Sequence, residues 1–187
     1  EYKWVAEIGR SPFVCIKVPP GGGKTLIAAH AVGMIFKHYL GERNDRGLTM
    51  WFVPSEAIKT QTLKKFKDRN DWHRQVLDEA FQNSVRIFSN EEALRIRKED
   101  VQDNLCIIIS SLDAFRKEKT LQKKYKVYQE NGALLSHFEN LDDRDDLEKD
   151  EENTIINSLA NVVRMSNPLI VIDEGHKTKT ELSIDFL

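Results

Sequence analysis

The sequence predicts an α/β domain with a mainly parallel sheet covered by helices on both faces. Three observations carry that prediction. Four short runs are continuously apolar and rich in β-branched residues: FVCIKV (13–18), LTMWFV (48–53), LCIIIS (105–110) and LIVID (169–173). Strands buried on both faces read this way, whereas strands with one wet face alternate. Helix-like stretches separate the runs, which is the chain order of a crossover-connected parallel sheet. A glycine-rich turn joins the first run to a long helical stretch. The size agrees, since 187 residues can bury one core without disulfides.

The elements follow in order. Phe13–Val18 is expected as a strand and Lys24–Leu40 as a helix. The helix is apolar on most sides (Leu26, Ile27, Ala28, Ala31, Val32, Ile35, Phe36), so it is expected to be buried all round. Leu48–Val53 is the second strand. Ser55–Phe66 and Asp71–Phe81 read as helices, and Val85–Phe88 as a short strand. Asn90 is expected to cap a helix running to about Lys98, with acids in its first turn. Leu105–Ser110 is a third strand, 120–138 and 153–166 read as helical, and Leu169–Asp173 follows Asn167-Pro168 as the fourth.

Charge is unevenly spread. The net charge is only −2, yet residues 139–152 hold nine acids against two bases, and 116–126 hold six bases against one acid. Like charges repel and resist burial, so the acidic run is expected in a solvated loop or inserted hairpin within 116–160. Masking of a basic groove is its functional alternative. The balance excludes a strongly basic nucleic-acid arm and a disordered chain. No apolar run reaches the roughly 18 residues of a membrane helix. Cys15 and Cys106 both lie in apolar runs and are expected as buried free thiols in a reducing, cytoplasmic setting. The histidines show no metal spacing. The chain starts at Glu1 and its first methionine is Met34, which reads as a fragment of a longer protein.

Two segments carry chemistry. Val18–Thr25 reads VPPGGGKT. Glycines there let backbone N–H groups approach phosphate oxygens, and the following helix points its positive end at the same anion. Lys24 is placed to reach β- and γ-phosphates and the Thr25 hydroxyl to ligate Mg²⁺. Pro20, Gly21, Gly22, Gly23 and Leu26 complete the expected nucleotide cradle. Val18 stands where the commonest form of the pattern has glycine. The second segment is LIVIDEGH (169–176), an apolar strand ending in two carboxylates at the sheet edge where open α/β sheets bind ligands. Asp173 is the candidate Mg²⁺ carboxylate and Glu174 the candidate base for water attack on the γ-phosphate.

With both segments in view, the chain resembles superfamily 2 helicases and translocases, whose second motif is typically DEAD or DEAH. VPSEAIKTQ (53–61) resembles motif Ia of that superfamily, with Ile58 for the usual leucine, and IIISSLDAF (107–115) lies where a further strand end meets the nucleic-acid backbone. DEGH followed by KTKTELS looks most like the restriction (Res) subunit of type III restriction enzymes. The resemblance implies a RecA-like P-loop domain, residues 1–187, that binds ATP and Mg²⁺. It implies that Lys24 and Thr25 hold phosphate and metal, Asp173 holds metal, Glu174 is the base and His176 couples the nucleotide site to the nucleic-acid site or to the second domain. It further implies DNA contacts, most readily to a duplex backbone, through Pro54, Ser55, Lys59, Gln61, Ser110 and Ser111. Partners expected downstream are a second RecA-like domain with its arginine finger and a modification (methyltransferase) subunit. Gly175 departs from the usual Ala or Cys. Ser55 also suits a plain helix cap, and Lys64, Lys65 and Lys67 suit a solvated helix face. Aromatic residues do not interleave with basic ones in a stacking platform, so sequence-specific base reading is not indicated. Other readings are a different DNA or RNA helicase of the superfamily, a small-metabolite P-loop kinase, or a nucleotide switch without turnover.

Overall fold

The computed structural model describes residues 3–5, 11–40, 46–115, 125–141 and 144–174. The elements in chain order are β1 (Lys3–Val5), β2 (Ser11–Phe13), α1 (Lys24–His38), β3 (Gly47–Val53), α2 (Glu56–Lys67) and α3 (Trp72–Ala80). There follow β4 (Val85–Ser89), α4 (Asn90–Ala93), α5 (Lys98–Asp103), β5 (Leu105–Ser111), α6 (Leu159–Met165) and β6 (Leu169–Ile172). Four strands make an all-parallel sheet in the order β4-β5-β3-β6, and β1 and β2 pair antiparallel in a separate two-stranded sheet.

The pleat sends alternate residues of β3 and β5 to opposite layers. Trp51, Val53, Leu105, Ile107 and Ile109 pack with Ala29, Val32 and Phe36 of α1, Phe66 of α2, and Leu77 and Phe81 beside α3. Edge-to-face ring contacts organise this layer, with Trp51 4.9 Å from Phe66 and Phe36 5.4 Å from Phe81. Leu48, Met50, Phe52, Cys106 and Ile108 face the other way, onto Ala93, Ile96, Val127, Tyr128, Leu134 and α6. Side-chain caps start the helices: Ser55 for α2, Asp71 for α3, Ser89 for α4 and Ser158 for α6.

Several expectations need correction. The first apolar run is a strand only through Phe13, and Val14 and Ile16 are exposed. Pro19 and Pro20 follow directly, and proline cannot donate to a ladder. Helix α1 is not buried all round; Ala29, Val32 and Phe36 are buried while Ile27 and Met34 are exposed. Cys15 is exposed, whereas Cys106 is buried and its thiol is pushed up to about 12 by that burial and by nearby Asp100. Ser89, not Asn90, caps α4, through a capping box with Glu92, and the helix ends at Ala93, with a separate helix α5 starting only at Lys98. Within 120–138 and 153–166 the described residues hold short 3₁₀ turns at Lys126–Tyr128 and Gly132–His137, and only α6 is α-helical.

The charged stretch is also more than a solvated loop. Asp145, Asp146, Asp150, Glu151 and Glu152 are exposed, but Glu148 is partly buried against Arg164, and Val127, Tyr128, Leu134 and Leu147 are buried. Asn161 ties the stretch down: its side-chain oxygen accepts from the Glu148 N–H and its amide donates to the Glu148 and Ile156 carbonyls. The Tyr128 hydroxyl donates to the Phe115 carbonyl, and the Asn131 amide to that of Leu94. A single bridge, Lys149 with Ile155, closes a small hairpin there.

Candidate functional site

Parallel pairing brings distant strand ends together. Phe52 stands opposite Ile172 and Val53 opposite Ser111. The Asp173 N–H donates to the Phe52 carbonyl at 2.8 Å, which extends the ladder by one residue and fixes where the carboxylate leaves the sheet. Asp173, Pro54–Ser55 and Ser110–Ser111 therefore share the carboxyl edge, where open α/β sheets place their ligands.

The turn before α1 is shaped for close approach. Gly21 and Gly23 have φ of 77° and 73°, a left-handed backbone that glycine adopts without a Cβ penalty. A Cβ on Gly22 would sit 2.6 Å from Val18 Cγ1. Gly23 is the N-cap of α1 and offers no side chain to its leading N–H groups, and the first turn holds no acid. In a 15-residue helix this leaves the positive end of the dipole without a built-in counter-charge. A phosphate group fits that chemistry.

Across from this turn, Lys24 Nζ lies 2.5 Å from Glu174 Oε1, a contact between residues 150 positions apart. Both side chains are half-buried. Glu174 has φ of 55°, a left-handed conformation that is uncommon outside glycine. Such strain persists where surrounding structure over-determines it, and it clusters at functional sites. Burial, then the adjacent Glu174 charge, push the Asp173 carboxyl above the ordinary range, while Lys24 and Lys65 pull it back. A half-buried carboxylate beside a second carboxylate is the donor set of a hard divalent cation. Asp173 and the Thr25 hydroxyl are the residues that could hold one. Pro20, Gly21, Gly22 and Gly23 are exposed, with Lys24, Thr25 and Leu26 partly covered at the head of α1. His176 lies outside the described residues.

The candidate track residues divide. Ser55 and Gln61 are exposed on or beside α2, and Pro54 is half-buried at its head. Ser55 Oγ accepts from the Ile58 N–H at 3.4 Å, so it caps α2 and still faces solvent. Lys59 departs from expectation. It is 7% exposed, and its ammonium is held 2.7 Å from Glu56 and 3.3 Å from Glu91. Ser110 and Ser111 are buried in β5, where the Ser110 hydroxyl donates to the Ser111 carbonyl. These three side chains are committed inside the fold. Lys65, read from the sequence as part of a solvated helix face, is indeed exposed.

Parallel sheet, glycine turn and paired carboxylates define a RecA-like α/β domain of the P-loop class. The model of the family described as "Type III restriction enzyme, res subunit" matches residues 2–185. The chain belongs to that family, and with it to the helicase-like ATPase domains of superfamily 2. No curated protein and no solved structure matches it. No helix among the described residues is long and apolar enough to cross a membrane.

Proposed function

We propose that this chain is the ATP-hydrolysing first motor domain of a DNA translocase, working within a type III restriction subunit alongside a second RecA-like domain and a modification subunit. The observation that carries the reading is the Lys24–Glu174 contact at the head of an uncapped helix. It joins the two segments that phosphoryl transfer needs, one to bind polyphosphate and one to handle a proton.

In this reading the N–H groups of Gly21–Thr25 and the α1 dipole bind the phosphates, and Lys24 neutralises the terminal one. Mg²⁺, when bound, would neutralise phosphate charge, held by Thr25 and Asp173. An arriving polyphosphate competes with Glu174 for the Lys24 ammonium. Once released, the Glu174 carboxylate is placed to take a proton from water at the terminal phosphate. Glu174 thus has two partners in sequence, Lys24 first and water once phosphate has taken its place on Lys24. Ser55, Pro54 and Gln61 contact a DNA backbone without reading sequence. His176 couples the nucleotide edge to that track.

The test is equilibrium binding of a fluorescent ATP analogue with Mg²⁺ to the wild type, Lys24→Ala and Glu174→Gln. Lys24→Ala should lose binding, and Glu174→Gln should bind at least as tightly as wild type, since the competing carboxylate is gone. Equal binding by wild type and Lys24→Ala would contradict the reading.

A further inference from the structure

The lysines of α2 fall into two sets. Lys59 is buried against Glu56 and Glu91, and Lys67 lies 2.7 Å from Glu92. Lys64 and Lys65, with Arg69 just beyond the helix, are exposed and hold no ion pair among the described residues. Trp72 opens α3 immediately after them and is 74% exposed. Indoles are usually well covered; Trp51 of the core is fully buried.

Local hydrogen bonds span the corner between α2 and α3. The Asp68 N–H donates to the Lys64 carbonyl and the Asp71 N–H to the Asp68 carbonyl. The Gln75 amide donates to the Asn70 carbonyl. Both acids of the corner are engaged locally: Asp68 accepts from the Asn70 N–H, and Asp71 from the His73 N–H and ring. The His73 ring turns inward toward Phe66, 6.2 Å away. Burial raises the Asp71 carboxyl, but the His73 hydrogen bonds and the Lys65 charge outweigh it and hold it below its ordinary range. The corner thus offers three exposed cations and, a few residues on, an exposed indole.

We propose that the α2–α3 corner binds an unpaired nucleic-acid strand, with a base stacked on Trp72 and phosphates neutralised by Lys64, Lys65 and Arg69. This rests on the nucleic-acid motor reading and deepens it. Every base offers a π-face to an indole, and a paired base hides its faces within the duplex. The three cations supply the sequence-independent phosphate attraction that holds the strand along the corner. Basic and aromatic residues alternate along Lys64-Lys65-Phe66-Lys67-Asp68-Arg69 and on to Trp72, and the fold sorts the aromatics, burying Phe66 in the core and leaving Trp72 open.

The experiment uses the full protein with a Trp4→Phe background, so that Trp72 is the accessible reporter. A labelled oligothymidylate should quench its emission, and a blunt duplex should not. Trp72→Ala should weaken single-strand binding about 5- to 150-fold, the cost of one lost stacked base. Trp72→Phe should restore most of it, and duplex affinity should not change in either variant. Lys64→Ala and Lys65→Ala should each reduce the slope of log affinity against log salt by about 0.7 for the single strand. Duplex-stimulated ATP hydrolysis with no Trp72 response to oligothymidylate overturns the corner and leaves the motor intact. Single-strand affinity that Trp72→Ala weakens and Trp72→Phe restores, in a protein that hydrolyses no ATP with any nucleic acid, supports the corner and sinks the motor reading.

Discussion

Glu174 is asked to do two things, and its backbone shows the strain of the first. A left-handed conformation at a glutamate costs on the order of 1–3 kcal/mol, and the ion pair to Lys24 offsets part of it. Glu174→Gln should therefore bind nucleotide yet turn it over about 10²- to 10⁴-fold more slowly, the usual worth of a positioned base; steady-state hydrolysis under saturating ATP checks this. Glu174→Gly should be as inactive but more tolerant of heat than Glu174→Ala, because glycine takes φ near 55° freely. That the two segments belong to one site was legible in sequence because each motif predicts the other through the chemistry, but the direct Lys24–Glu174 contact was not. Lys59 was misjudged for a physical reason: nothing in a helical lysine says whether acids from another element, here Glu91 of α4, will claim it.

The clamp between α2 and α4 makes a pH prediction. Burial pushes the Glu92 carboxyl up, but the hydrogen bonds from Lys67 and the Ser89 N–H outweigh it and set it below its ordinary 4.5. Glu91 is lowered likewise, burial being overcome by Ser89 and Lys59. A carboxyl lowered on folding stabilises above its unfolded value, and that contribution fades as pH falls through the folded value. Glu92→Gln should lower the melting temperature at neutral pH and make no difference once pH is well below 4.5. Helix α1 gives a packing prediction. A Cβ on Gly33 would lie 2.8 Å from Ala80 Cβ of α3. Gly33→Ala should destabilise despite the better helix propensity, by roughly 1–3 kcal/mol of overpacking less about 1 kcal/mol of propensity. Ala80→Gly in the same chain should recover stability in urea melts. The apolar girth of α1 misled the sequence reading. Composition shows that a helix can be buried, but Ile27 and Met34 find no cover among the described residues.

At the scale of the molecule, the sheet has two layers of unlike origin. Regular helices α1–α3 cover one face. The other is sealed largely by 3₁₀ turns and loops of a segment whose composition reads as solvated. Four buried apolar residues, Val127, Tyr128, Leu134 and Leu147, anchor a stretch crowded with acids. Net charge over a window averages the two faces, which is why the anchors were not separable in the sequence. Leu134→Ala should cost about 2–5 kcal/mol, as for a core leucine, where a surface change would cost almost nothing; denaturant melts decide between them. The β-strands were the most legible part of the fold, because both faces of β3 and β5 are covered and the runs are continuous. The first run was the exception, since the β1–β2 pairing and Pro19-Pro20 leave Val14–Val18 without a ladder.

The central claim is that the edge formed by Lys24, Asp173 and Glu174 hydrolyses ATP under control of a nucleic-acid track. The most direct measurement is ATP turnover by the full protein with no nucleic acid, duplex DNA, single-stranded DNA and RNA, beside Lys24→Ala and Glu174→Gln. The account predicts turnover stimulated by DNA and abolished by both substitutions. Nucleotide binding with no turnover under any nucleic acid would contradict it and leave a switch in place of a motor.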